Sequence, residues 1–138
     1  MTKNGVFFGK KILLMSNDPA VTAAVRQGVD SHQPVFYHSG APRDALGLAM
    51  TKNPDLIIYD DLMPPFQGNK ILPIVRRARP KVRILLLTQA GVPLRSIDVT
   101  AQGASFTINR DSSPEQIYNA VKHCLSISSV PRVEQMAS

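Results

Sequence analysis

The stretch PDLIIYDDLMPP, residues 54–65, decides how the rest of the chain is read. Leu56, Ile57, Ile58 and Tyr59 form an unbroken apolar run, as expected of a strand covered on both faces in a parallel sheet. Asp60 stands where such a strand emerges, and a proline-rich turn follows it. In open α/β sheets, ligands bind at the carboxyl ends of the strands. A carboxylate placed there serves as a nucleophile, a metal ligand or a turn former.

Around this stretch, strand and helix patterns alternate. Ile12–Met15 is a short apolar run. Asp18 has the character of a helix cap, with Pro19 at the first helical position. Val21, Ala24, Val25 and Val29 then recur at helical spacing, and residues 31–34 break the pattern. Val35–Tyr37 reads as a second strand. Pro42, Ala45, Leu46 and Ala49 mark a second helix, stopped at Asn53-Pro54. Gly68-Asn69 opens a third, with Ile71, Ile74, Val75 and Ala78 on one face and Pro73 tolerable only in its first turn. Ile84–Leu87 is a fourth strand ending at Thr88. Leu94, Ile97, Val99 and Ala101 suggest a short fourth helix, and Phe106–Ile108 a fifth strand.

The last helix has the clearest pattern. Ser113 and Gln116 have capping-box spacing, and Pro114 takes the first position. Ile117, Ala120, Val121, Cys124 and Leu125 make one apolar stripe. Cys124 on that stripe reads as a core residue. His32, His38 and His123 have no sequence-local partner that suggests catalysis.

These units describe a doubly wound five-stranded parallel sheet with right-handed crossovers and five helices on its two faces. The chain has 138 residues, enough for one domain with a full core. Residues 1–9 read as an N-terminal extension, 10–127 as the domain, and 128–138 as a flexible tail or the start of a linker. No apolar run reaches the ~18 residues of a membrane span, and the start lacks a signal-peptide layout. Cys124 is the only cysteine, so no internal disulfide is possible. A cytoplasmic location is expected.

Net charge is +6, and Lys70, Arg76, Arg77, Arg79, Lys81 and Arg83 follow one another with no acid between them. Such a run reads as a solvated helix end, or as an attractor of acidic partners or nucleic acid. Aromatic interleaving and zinc-ligand spacing are lacking, so nucleic acid is not the expected partner.

Ser16-Asn17, Asp60 and Thr88 end strands 1, 3 and 4, and Arg110 follows strand 5. In a doubly wound sheet these positions converge on one edge. A carboxylate there can accept phosphorus as an acyl phosphate, while a hydroxyl and a cation stabilise the transferring oxygens.

KKILLMSNDPAV, PDLIIYDDLMPP, ILLLTQAG and QGASFTINRDSSPEQI, in that order and spacing, resemble a response-regulator receiver domain, the flavodoxin-like module of two-component signalling. The resemblance implies a sheet of strand order 2-1-3-4-5. It makes Asp60 the phosphoacceptor, charged by a histidine kinase or phosphotransfer protein, with Thr88 as the switch hydroxyl. It places a downstream protein partner on the face of helix 4, strand 5 and helix 5, around Arg95, Phe106 and Tyr118. A signalling domain is implied, with at most weak autophosphatase activity.

Three departures from the family pattern stand out. The acidic pair that holds Mg²⁺ is here Ser16 and Asn17. The lysine is Arg110, followed by Asp111. The switch aromatic is Thr107, with Phe106 one place earlier on the opposite side of the strand. Losing both acids removes about two negative charges from a site for a hard, carboxylate-seeking ion. The remaining ligands implied are Asn17, Asp60 and the backbone carbonyl of Leu62, so any Mg²⁺ is held weakly. Asp18 lies one step too far and is read as a cap. Asp61 reaches the site only if the strand has already ended. Arg110 can pair bidentately with Asp60 and take over part of the metal's role. These departures leave a second reading: a receiver-like domain that works by protein interaction without phosphorylation.

Overall fold

The computed structural model describes residues 5–61, 73–89 and 106–126. Strands β1 (Lys11–Met15), β2 (Val35–Ser39), β3 (Leu56–Asp60), β4 (Arg83–Thr88) and β5 (Phe106–Asn109) form one parallel sheet. Their order is β2-β1-β3-β4-β5, as expected. The helices described are α1 (Pro19–Val29), α2 (Pro42–Lys52), α3 (residues 73–78) and the last helix, α4 (Pro114–Ser126). The helix expected around residues 94–101 lies outside the described residues, as do Gly68, Asn69 and Ile71 of the third.

The unbroken apolar runs follow from two cores, one on each face of the sheet. Ile12, Leu14, Leu56, Ile58, Leu85 and Leu87 point to the α1/α4 side. Leu13, Met15, Ile57, Tyr59, Ile84 and Leu86 point to the α2/α3 side. With a side-chain period of two, a central strand covered on both faces has no position left for a polar residue. The first polar side chain of β3 is therefore at its exit, and it is Asp60.

Local chemistry sets the helix boundaries. Asp18 Oδ1 accepts the Ala20 N–H at 2.9 Å, so α1 starts on its Asp-Pro cap. Ser113 and Gln116 bond reciprocally at the start of α4, amide to side chain in both directions (2.9 and 3.2 Å). Asn53 ends α2 at φ 50°, in the left-handed region that Asn tolerates. Gly28 lets the end of α1 meet the start of α4, since a Cβ there would fall 2.6 Å from the Pro114 carbonyl oxygen. Ile117, Ala120, Val121 and Cys124 are buried beneath α4. Each larger one contributes about 1.5–3 kcal/mol of transfer free energy.

Helix α3 departs from the expected face. Of Ile74, Val75 and Ala78 only Val75 is buried, and Ile74 is 48% exposed. Arg76 turns inward instead, its guanidinium donating to the carbonyls of Pro80 and Val82. A long basic stem covers apolar surface well once carbonyls satisfy its head, so helical spacing alone misreads the face.

Residues 1–9, set apart in the sequence as an extension, include Phe7, which belongs to the α1/α4 core. Its amide donates to the His32 carbonyl at 2.9 Å. The His32 ring stacks on Tyr118 at 4.4 Å between centroids. Among the described residues no helix is long and apolar enough to cross a membrane.

Candidate functional site

Strand register brings the expected residues together. Met15 pairs with Tyr59, and Asp60 with Leu87, so Ser16, Asp60 and Thr88 end adjacent strands at one edge. Thr88 pairs with Asn109, which puts Arg110 one step beyond. Its amide donates to the Thr88 carbonyl at 2.6 Å, fixing the start of its side chain.

Asp60 is fully buried. Arg110 grips it as a fork, with Nε donating to Oδ1 at 3.0 Å and Nη2 to Oδ2 at 2.9 Å. The Ser16 hydroxyl donates to Oδ2 at 2.7 Å and accepts the Asp18 amide at 3.1 Å. Bidentate, charge-assisted bonds of this kind are among the strongest polar contacts a protein makes. In water-poor surroundings the two charges stabilise one another while each costs desolvation, so the pair holds the site's geometry more than it adds net stability.

One partner was not foreseen. Asp18 Oδ2 accepts a second bond from Arg110 Nη2, at 2.9 Å. The side chain therefore both caps α1 and closes the ion cluster. The guanidinium bond, then the Ala20 amide, holds the Asp18 carboxyl below the ordinary carboxylate range. Hydrogen bonding to the two carboxylates raises Arg110 further above its already high range. Part of the signal was present in the sequence: an Asp-Pro cap three residues past β1 puts a carboxylate near the strand edge where Arg110 emerges, without saying which way its second oxygen turns.

Thr88 is at the site, but its hydroxyl donates to the Ile108 carbonyl at 3.2 Å. Asp61 lies just past the end of β3, its amide on the Leu87 carbonyl at 2.9 Å. Partial burial, then the Asp60 charge, raises its carboxyl above the usual value. His38 reaches the same edge from β2, with Nε2 2.8 Å from the Ser16 carbonyl oxygen. Cys124 is fully buried, and burial pushes its thiol up to about 12, which makes it inert at neutral pH. Leu62, named as a backbone ligand, and Arg95 lie outside the described residues.

These donors do not suit Mg²⁺, which takes octahedral oxygen ligands supplied mainly by carboxylates. Both oxygens of Asp60 already carry a guanidinium. Asp18 is divided between the helix cap and Arg110. The Ser16 proton points at Asp60, which leaves Asn17 as a single exposed amide. Among the described residues no group of three or more His, Cys, Asp or Glu could hold a metal.

Comparison with known proteins agrees with this fold. The alkaline phosphatase synthesis transcriptional regulatory protein PhoP of Bacillus subtilis is 23% identical over 121 residues, covering 88% of this chain and 50% of that protein. The chain spans about half the length of the curated relatives it matches. Chemotaxis protein CheY4 of Vibrio cholerae superposes with a TM-score of 0.76 at 23% identity, covering 85% of this chain and 99% of that one. A CheY-like receiver domain protein of Methanospirillum hungatei gives 0.76 at 19% identity, with 86% and 94% covered. A family model, the response regulator receiver domain, matches residues 12–122. With that match spanning most of its length, the chain belongs to the response regulator receiver domain family, a family of signalling domains that are generally not enzymes.

Proposed function

We propose that this receiver domain signals by binding a protein partner, without taking a phosphoryl group on Asp60. The observation that supports this is the state of the carboxylate: fully buried, with both oxygens bonded by Arg110 and one also by Ser16. To become an acyl phosphate, an Asp60 oxygen must attack phosphorus in line and expel the donor's leaving group. An oxygen that already accepts charge-assisted bonds is a poorer nucleophile. The transferred group adds about two negative charges where, among the described residues, Arg110 is the cation in contact with Asp60. Receiver domains typically bind Mg²⁺ at the phosphorylation site, where it neutralises such charge. Here Ser16 and Asn17 replace the acids, and Arg110 takes over a standing share of the cation's role.

In this reading the output face is that of β5 and α4. Phe106 packs half-buried against the core there, whereas Tyr118, expected on the same face, turns to the α1 side of α4, stacked on His32 and beside Phe7. The working domain, in the cytoplasm, takes in Phe7, which packs into its core, as well as the stretch expected from residue 10 to 127.

The second reading keeps Asp60 as phosphoacceptor for a histidine kinase or phosphotransfer protein. It is favoured by the position of Asp60 at the exit of the central strand, with Arg110 and the end of β4 beside it. Incubation with acetyl phosphate, with and without Mg²⁺, followed by intact-mass measurement, separates the two. No phosphate adduct is expected. An acid-labile adduct absent from Asp60→Asn would overturn the first reading and establish the second.

A further inference from the structure

Residues 5–9 form a strap that ends in a slot. Phe7 is 2% exposed, its ring 5.5 Å from that of His32 and 5.6 Å from that of Tyr118 on α4. Two bonds fasten the strap to the turn after α1: the Phe7 amide donates to the His32 carbonyl at 2.9 Å, and the Gly5 amide to Gln33 Oε1 at 2.8 Å. A third, from the Phe8 amide to the Gly5 carbonyl, is internal to the strap. The strap joins β1 through one tight turn, closed by the Lys10 amide on the Phe7 carbonyl at 2.9 Å, with Gly9 at φ 79°. A Cβ on Gly9 would meet nothing within 4 Å, so only backbone conformation reserves the position for glycine. The slot holds its plug, but Val6 and Phe8 on either side of it are 54% and 58% exposed. Val35, whose amide donates to the Lys10 carbonyl, is 41% exposed. Three of the five large apolar side chains exposed among the described residues thus lie in or next to the strap.

We propose that two copies of the chain pair at this end by exchanging straps, Phe7 of each entering the slot of the other. The turn at Gly9 opens and the Lys10–Phe7 bond is lost in each copy. The bonds to His32 and Gln33 and the ring contacts are remade across the pair, so exchange of the identical element costs little. The gain is apolar area of Val6, Phe8 and Val35, which the crossing straps bring between the copies and which opposes the cost of association. A second copy suits the slot better than an unrelated aromatic segment. An outside segment must displace a plug held close by its own tether, with nothing returned. In an exchange, each strap that leaves one slot fills another. Asp60 takes no part, since it ends β3 at the opposite edge of the sheet.

The test follows the mass of the whole chain by size-exclusion chromatography with light scattering, from about 10 μM to about 1 mM. A dimer is expected to fill as concentration rises. Gly9→Ala disfavours the left-handed turn that the closed monomer needs and the exchanged pair does not, so it should lower the midpoint concentration at least about tenfold. Phe7→Ala should leave the chain monomeric throughout, with far-UV circular dichroism unchanged. Because Phe7 is a core residue, a second variant alters exposed side chains alone: Val6→Ser with Phe8→Ser should raise the midpoint at least about fivefold. A dimer made by simple contact of the apolar ends, each strap in its own slot, would be indifferent to Gly9→Ala. That indifference, a Gly9→Ala chain still monomeric at the highest concentration, a Phe7→Ala dimer as tight as the parent's, or no effect of the double serine variant would each overturn the proposal.

Discussion

At the carboxyl ends of the strands one guanidinium serves two carboxylates; at the amino ends two guanidiniums serve backbone carbonyls. Arg110 is closed in by Asp60 and Asp18. Arg76 and Arg79 are held instead by main-chain carbonyls, those of Pro80 and Val82 for the first and of Met50 for the second. The same residue type thus does two kinds of work. A carboxylate partner cancels charge and fixes geometry, whereas a carbonyl partner fixes geometry alone. The first edge consequently ties its charges to one another, while the second ties its side chains to the main chain.

The largest test of this contrast is Arg110→Ala. It leaves Asp60 fully buried without its cation, the Arg110 side chain itself being only 13% exposed. Breaking such a pair from one side costs about 3–5 kcal/mol, toward the lower end here because water can follow into the vacated space. Urea denaturation should show this loss. A change below about 1 kcal/mol would mean that Arg110 is an ornament of the site. Arg110→Lys should recover part of it, keeping the charge but not the fork.

Ser16→Ala comes next. It removes a buried hydroxyl that donates to the carboxylate at 2.7 Å. A bond to a charged group is worth about 1.5–3 kcal/mol, and the lower figure applies because Arg110 keeps both oxygens partnered. Denaturant midpoints check this. At the opposite edge, Arg79→Met keeps most of the stem and deletes the bond to the Met50 carbonyl. Its cost should stay within about 1 kcal/mol, since that carbonyl is near water at an exposed helix end. If Arg79→Met proved as damaging as Arg110→Ala, the two edges would not differ in kind.

Much of this was legible in the chain. The run of β3 announced a strand covered on both faces, those of β1 and β4 announced strands, and register then brought residues 16, 60, 88 and 110 to one edge. The bidentate hold of Arg110 on Asp60 followed from residue type once that proximity was granted. What stayed hidden depended on side-chain direction. Asp18 looked like a cap and is one, but its second oxygen is free to turn, and the sequence does not say toward what. Thr88 bonds the next strand's carbonyl, not the carboxylate, a choice of rotamer that no spacing encodes. Ile74 faces water because Arg76 found two carbonyls inside, which a hydrophobic count cannot register. Phe7 packs although its apolar run is only Val6, Phe7 and Phe8, because the 3₁₀ turn at Asp30–His32 offers its amide a carbonyl.

The smallest effect separates two aspartates at the closed edge by sign. Asp61 has its folded-state carboxyl raised above 3.8, by partial burial and then by the charge of Asp60. Its ionised form is therefore disfavoured in the folded chain. It subtracts from stability near neutral pH, and that deficit vanishes as pH falls through the raised value toward 3.8. Asp18 is lowered, chiefly by Arg110, so its support is present above 3.8 and is lost as pH falls through the lowered folded value. Asp61→Asn should thus stabilise the chain near pH 7, by no more than about 0.5 kcal/mol once solvent screening is allowed for. The gain should shrink to nothing as the medium is acidified below about pH 4, where the parent carboxyl is protonated in both states. Below that point both chains should lose stability together as Asp18 titrates. Denaturation midpoints for the two chains across that range decide the matter. A difference that persists in acid would locate the effect in the turn's shape and not in the charge beside Asp60.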